Sequence, residues 1–320
     1  MRFCVGRLAC VAVLVGVSSA YGQDATLRYG WVKGEEFRYR LSQQGTTTIT
    51  GLPGIGEMTA DQSNVQVFRL TVEDVAADGS ATLRQTFESV RLETNSPAGK
   101  VVFDSSAADK PIDPIAAAMG MTMSAMIGES ITIVLVPTGA VIKIEGVSRI
   151  FDKVLKTLPQ NPATAQTVSL LKGIMSDDAM RSAFEQSFVT FPDHVVKPGE
   201  TWTGQFKMSN PMFGSLTTTR TSTFRGVESS SGTSMARITA MIAMKQDPEA
   251  SPSGPTGMTA KLADSTGEGE ILFDIAKGHV QKTSFKSEMP MTMSVTGPAG
   301  GQINSQSLVR NTITMEIVEK

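Results

Sequence analysis

Lys33-Gly34-Glu35-Glu36-Phe37-Arg38-Tyr39-Arg40-Leu41 is the stretch on which the fold turns. A Gly-containing turn comes first, and then Phe37, Tyr39 and Leu41 alternate with charged residues. Successive side chains of a strand point to opposite faces, so this period of two marks a half-buried antiparallel strand. The pattern continues along the chain. Ala81, Leu83 and Phe87 alternate with polar residues, as do Ala236, Ile238, Ala240 and Ile242, and near the end Ile313, Met315 and Ile317. Thr, Val, Ile and Phe dominate these runs, and about ten strands are expected.

The opening turn also returns later. Lys197-Pro198-Gly199-Glu200-Thr201-Trp202 repeats a turn followed by a strand that opens on an aromatic residue. Asp78-Gly79 is matched by Ser231-Gly232, and Pro137-Thr138-Gly139 by Ala276-Lys277-Gly278. Three signals in one order suggest two related halves, the second shorter. Helical periodicity is confined to two places. Pro114–Ile127 is rich in Ala and Met. In 146–190, Ile150, Val154, Leu155 and Leu158 share a face that ends at Pro159, and Asp177 opens a second helix running to Phe188. Segments 51–64 and 247–268 read as loops.

The expected architecture is therefore α+β: a large twisted antiparallel sheet, in two related halves, with helices 112–127 and 146–190 on its concave side. The expected division is a signal peptide at 1–22, a first β-rich half with a Met-rich helix at 23–145, a helical segment at 146–191, and a second β-rich half at 192–320.

The address comes from the first 22 residues. Arg2 and Arg7 precede the short apolar run Leu8–Val17, and small residues follow at Ser18, Ser19, Ala20 and Gly22. Cleavage is expected after Gly22, with Ala20 as the alternative, and the mature protein is expected in the periplasm or outside the cell. Both cysteines, Cys4 and Cys10, leave with this segment, which excludes disulfides and thiol chemistry. Arg2 and Arg7 leave too, so 27 basic side chains face 31 acidic ones. An acidic balance argues against nucleic acid as a partner. No second apolar run is long enough to span a membrane.

Recognisable catalytic patterns are missing. His194 and His279 are far apart, with no metal-ligand spacing around them. Ser169-Leu170-Leu171-Lys172 matches S-x-x-K, with Lys282-Thr283-Ser284 on a later strand, an order similar to that of penicillin-binding enzymes. Ser stands where that family has Gly, however, and the middle motif is missing. Glu35, Glu36 and Glu200 sit in turns, where a solvated carboxylate is the ordinary state. A non-enzymatic protein with no cofactor and no metal is expected.

The unusual feature is methionine, 18 in the chain. Met119, Met123 and Met126 fall on one helical face, and Met289, Met291 and Met293 on one strand face. Three explanations fit. They could fill irregular gaps in a core, line a deformable apolar chamber for a lipid or other apolar small molecule, or supply thioethers to a soft metal. The six are the candidate ligand-binding residues, expected to face each other across the interior. The alternative is a structural or interaction module of the cell envelope, whose partner is another envelope protein.

The Lys-Gly-Glu-Glu-Phe-Arg-Tyr opening and Val196-Lys197-Pro198-Gly199-Glu200-Thr201-Trp202 resemble an uncharacterised family of secreted bacterial proteins, known as a domain of unknown function. The resemblance spans roughly residues 27–318, and its P-G-E-x-W element is the most specific part. It implies export and transfers no catalytic residue. The layout also resembles the periplasmic lipoprotein-carrier fold, which implies a curved sheet closing over helices around an apolar cavity.

Overall fold

A computed structural model describes residues 23–54, 56–107, 120, 123–157, 168, 177–210, 214–230, 233–247, 258–296 and 302–318. The expected signal peptide, Met119 and the Ser169–Lys172 motif lie outside the described residues. Thirteen strands form one antiparallel sheet. They are β1 (Glu36–Thr50), β2 (Met58–Val75), β3 (Ala81–Ser96), β4 (Gly99–Asp104), β5 (Ser130–Leu135), β6 (Val141–Glu145), β7 (Thr201–Asn210), β8 (Gly214–Ser230), β9 (Thr233–Gln246), β10 (Met258–Leu262), β11 (Ser265–Asp274), β12 (His279–Thr296) and β13 (Gln302–Ile317). The longer helices among the described residues are α1 (Val147–Thr157) and α2 (Asp177–Ser187).

The protein is thus mainly β, and the α+β expectation overstated its helices. Of the expected helix 112–127, the described residues Gly120, Met123 and Ser124 are helical and 125–128 form a turn, and the rest lies outside the described residues. The second half of the loop expected at 51–64 is strand, because β2 begins at Met58, and β10 and the start of β11 fall within 247–268. Gly and Ser in those stretches suggested breaks. Pairing along a long neighbour, β1 for β2 and β12 for β10, overrides that local preference.

The sheet order is β6-β5-β3-β2-β1-β13-β12-β11-β9-β8-β7, with β4 beside β3 and β10 beside β12. The chain lays down the same five-strand order twice, as 6-5-3-2-1 and as 12-11-9-8-7, with β13 between them. Hydrogen bonds recur at matching places. Gly34 N–H donates to Val72 O, Val72 N–H to Glu35 O and Glu35 N–H to Val32 O. Gly199 N–H donates to Phe224 O, Phe224 N–H to Glu200 O and Glu200 N–H to Lys197 O. Both glycines have φ of 88°, a left-handed conformation that other residues adopt only with strain. Bulges recur as well: Glu73 and Arg225 are each skipped directly after Val72 and Phe224, and Ile142 and Gln281 are each skipped just past a Gly turn. A bulge bends its strand and raises the local twist, so four of them curl the sheet.

The curled sheet stays open. Its two edges, β6 and β7, are not paired with each other, and α2 bridges them. Arg181 donates to Ile142 O on β6 at 3.2 Å, and Ser182 donates to Lys207 O on β7 at 2.7 Å. Unpaired edge carbonyls invite aggregation, and here a helix covers some of them. The helix therefore spans the opening of the sheet as well as facing its concave side.

The N-terminal segment ties the same end together. Ala25, Leu27, Tyr29 and Trp31 are buried at period two. Ala25 pairs with Val196, Tyr29 N–H donates to Pro137 O at 2.8 Å, and Gly30 N–H donates to Gly278 O at 2.9 Å. Around this segment lies the main core, which includes Leu83, Ile133, Val154, Phe224, Ile238 and Phe273.

Candidate functional site: an aromatic cavity under the sheet

Beside the N-terminal segment the core leaves a cavity of about 330 Å³. Its walls come from the sheet (Tyr39, Leu41, Phe68, Leu70, Phe87, Val280 and Met315), from the end of α2 (Phe184, Ser187, Phe188), from the N-terminal segment (Tyr29, Trp31) and from Met126. Cross-strand pairing places these side chains. Tyr39 lies opposite Phe68, and Leu41 opposite Gln66, so both pairs project to the inner face. A well-packed interior leaves few voids larger than a water molecule, and this space exceeds that by an order of magnitude.

The rings are held in contact. Tyr29 stacks on Trp31 at 5.5 Å between centroids, and Tyr39 on Phe68 at 5.6 Å. Trp31 meets Phe37 edge-on, and Phe37 packs against His279 at 4.7 Å. The Tyr39 hydroxyl donates to Val280 O at 3.1 Å, and the Tyr29 hydroxyl accepts from Val189 N–H at 3.1 Å. Burial pushes both phenols far above their ordinary pKa, so they stay neutral and are unsuited to base chemistry. Few polar groups reach the lining: Gln66, Gln85 and Ser187. The indole N–H of Trp31 is buried and has no acceptor among the described residues. A buried donor left unpaired costs about 1–3 kcal/mol.

The expected methionine site is assembled differently. Met126 lines the cavity, whereas Met123 packs in a separate cluster with Val90, Leu92 and Phe103. Met289, Met291 and Met293 pair with Val309, Ser307 and Ser305 on the far part of β12 and are not part of the lining. Met289 lies six residues beyond Thr283, the partner of cavity residue Met315, or roughly 20 Å along the strand. The strands outrun the elements that cover them, so one strand face passes from a closed interior to a half-open one.

Of the lining residues, Met126 is the one that belongs to the six methionines expected to bind a ligand. The alternation Ala25-Leu27-Tyr29-Trp31 was a usable signal of a buried extended segment, as was the run Tyr39, Leu41, Phe68, Leu70 on two paired strands.

His279 is buried, and desolvation holds its pKa below the ordinary histidine value. His194 is bonded to Glu200 at 2.6 Å on the surface, which raises the histidine pKa and lowers that of the carboxylate. Among the described residues no group of three or more His, Cys, Asp or Glu side chains is placed to hold a metal, and no helix is long and apolar enough to cross a membrane.

No curated protein matches the sequence. Of the solved structures, one on lipid–protein interactions in lipovitellin is similar over 90% of this chain, at 11% identity and a TM-score of 0.43. The chain spans only 25% of that lipovitellin chain. An outer membrane channel from Pseudomonas putida F1 is similar over 91% of this chain and 97% of its own, at 7% identity and a TM-score of 0.25. The outer membrane protein OprG from Pseudomonas aeruginosa is similar over 91% of this chain and 99% of its own, at 10% identity and a TM-score of 0.25. The model of a family of unknown function, DUF6263, matches residues 78–280 of the 320. The chain belongs to that family.

Proposed function

We propose that this is an exported, non-enzymatic binding protein that holds one apolar molecule carrying a hydrogen-bond acceptor in the aromatic cavity. The observation that carries the reading is the cavity itself: about 330 Å³, walled by Tyr39, Leu41, Phe68, Phe87, Phe188 and Met126. Small-molecule sites have this character, a mostly apolar concavity with a few polar groups that orient the ligand. The side-chain amides of Gln66 and Gln85 reach the lining and supply orienting groups, suited to the oxygen of an alcohol or ester. Burying an alkyl chain contributes about 0.8 kcal/mol per methylene, so a medium-length chain supplies micromolar affinity without any charged contact.

Export rests on Arg2, Arg7 and the apolar run before Gly22. The absence of enzymatic activity is part of the proposal: the cavity's ionisable groups are phenols that burial keeps protonated.

Native mass spectrometry of protein purified from its own envelope tests the reading, followed by solvent extraction. A co-purifying neutral lipid or alcohol lost on Leu41→Trp, which fills the cavity, is the expected result. A bare protein mass with no extractable apolar compound would instead favour a structural module.

A further inference from the structure

The five-strand order that recurs along the sheet gives the aromatic cavity a counterpart. Tyr39 is five residues past Gly34, and Gly204 is five past Gly199. Phe68 is four before Val72, and Arg220 four before Phe224. The pairing agrees: Tyr39 opposes Phe68 as Gly204 opposes Arg220, Leu41 opposes Gln66 as Phe206 opposes Thr218, and Phe37 opposes Leu70 as Trp202 opposes Ser222. Val280, two residues past Gly278, corresponds to Val141, two past Gly139. Val141, Trp202, Gly204, Phe206, Arg220 and Ser222 line a groove of about 460 Å³ between β6 and β7. In the first set β13 fills the place between β1 and β12. Among the described residues no strand fills the place between β7 and β6, so this second concavity opens at the gap in the sheet.

We propose that the groove between β6 and β7 is a second binding site, for an organic monocarboxylate whose charge is received by Arg220. The lining has exchanged Phe68 for Arg220, Leu70 for Ser222 and Tyr39 for Gly204, which turns an apolar corner into a roomier one with a cation at its base. Arg220 is 7% exposed, and its guanidinium lies 5.1 Å from the centre of the Phe206 ring. It donates to Gln186 O at 3.0 Å and Phe188 O at 3.1 Å. Those carbonyls anchor the end of α2 but carry no full charge. The rest of its N–H fork has no acceptor, and no carboxylate pairs with it, among the described residues.

A buried charge without a counter-charge is costly, and an incoming carboxylate relieves that cost while taking up the fork in the geometry arginine favours. Two other acids reach the groove, and each has a cation: Glu185 faces Arg181 at 3.3 Å, and Glu200 bonds His194 at 2.6 Å. With those acids paired, Arg220 is the groove's uncompensated charge among the described residues, which matches a monoanion better than a dianion such as phosphate. Trp202, Phe206, Phe191 and Val141 offer apolar walls to the body of the ligand. The site stands apart from the proposed role of the aromatic cavity, and either can fail alone.

The two tryptophans of the chain report separately, since Trp31 lines the cavity and Trp202 the groove. In full-length mature protein carrying Trp31→Phe, octanoate is titrated against Trp202 fluorescence, beside neutral octanamide and inorganic phosphate. Octanoate is expected to bind at least tenfold more tightly than either. Arg220→Met should erase the preference over octanamide. Because Arg220 also anchors α2, Gly204→Leu provides a variant that keeps the arginine and fills the groove, and it should abolish the octanoate response. Equal affinity for octanoate and octanamide, phosphate binding as tight as octanoate, or an octanoate response that survives Gly204→Leu would overturn the proposal.

Discussion

The corner where β1 meets β2 and the corner where β7 meets β8 share their glycine turns, their hydrogen bonds and the bulge that follows. They differ in what fills the inner face. The first presents Tyr39, Leu41, Phe68 and Leu70 beneath β13; the second presents Gly204, Phe206, Arg220 and Ser222 at an open edge. The backbone pattern sets where a concavity forms, and a few side chains set its chemistry. Function therefore has to be argued corner by corner, since one architecture hosts both.

The largest expected effect comes from the anchor that both corners share. Phe224 is fully buried and lines neither the cavity nor the groove, so Phe224→Ala should cost about 3–5 kcal/mol in urea unfolding. Its counterpart Val72 is smaller, and Val72→Ala should cost about 1–3 kcal/mol. Equal costs would mean the two corners are not built alike.

Next come the turns that receive the N-terminal segment. A Cβ on Gly278 would stand 2.2 Å from Gly30 N, with φ of 66°. Gly278→Ala should cost about 3 kcal/mol, from the clash and the left-handed backbone together. Gly34 meets nothing within 4 Å, so Gly34→Ala should cost only about 1 kcal/mol. A thermal-melt series that reverses this order would show that the N-terminal segment does not dock against Gly278.

The cavity itself predicts a muted response. Met126→Ala enlarges a space that already exists, so it should cost about 1–2 kcal/mol, near the transfer contribution of the deleted groups. A loss of about 4 kcal/mol would indicate a packed core at that position.

The smallest effect concerns protonation. The folded pKa of His279 is held below its unfolded value by burial. Below the unfolded value, near pH 6.5, the unfolded chain binds the extra proton more readily, so stability is full above that pH and falls as pH drops through the folded pKa. Urea midpoints measured from pH 7.5 to 5 should decline, and His279→Gln should flatten the decline. His194 carries the opposite sign, because its pKa is raised by Glu200: its contribution is present below the unfolded value and lost as pH rises through the folded one. A decline unchanged by His279→Gln would place its origin elsewhere.

The sheet was legible because period two is a local signal. Phe37-Tyr39-Leu41 and Ala236-Ile238-Ala240 read as strands directly, and the recurrent glycines stood at the turns where the hydrogen bonds repeat. Strand ends were less legible. Met58–Asn64 carries little apolar alternation and is held in the sheet by pairing with β1 and β3, a long-range cause that a window of residues does not contain. The site was legible only in part. Methionine spacing placed Met289, Met291 and Met293 on one face correctly in kind, yet a shared face does not say how far along a strand the cover extends. The lining depends on residues distant in sequence, such as Trp31, Phe68 and Phe188, which meet only after the sheet curls.

The most direct measurement uses the cavity's own reporter. With Trp202→Phe in place, Trp31 is the remaining tryptophan of the chain, and dodecanol is titrated while its emission is recorded. The account predicts a saturable change at one equivalent, lost in Leu41→Trp when that variant's binding is followed by native mass spectrometry. A Trp31 signal indifferent to dodecanol, in protein that melts cooperatively, would contradict the claim that the aromatic cavity binds an apolar ligand.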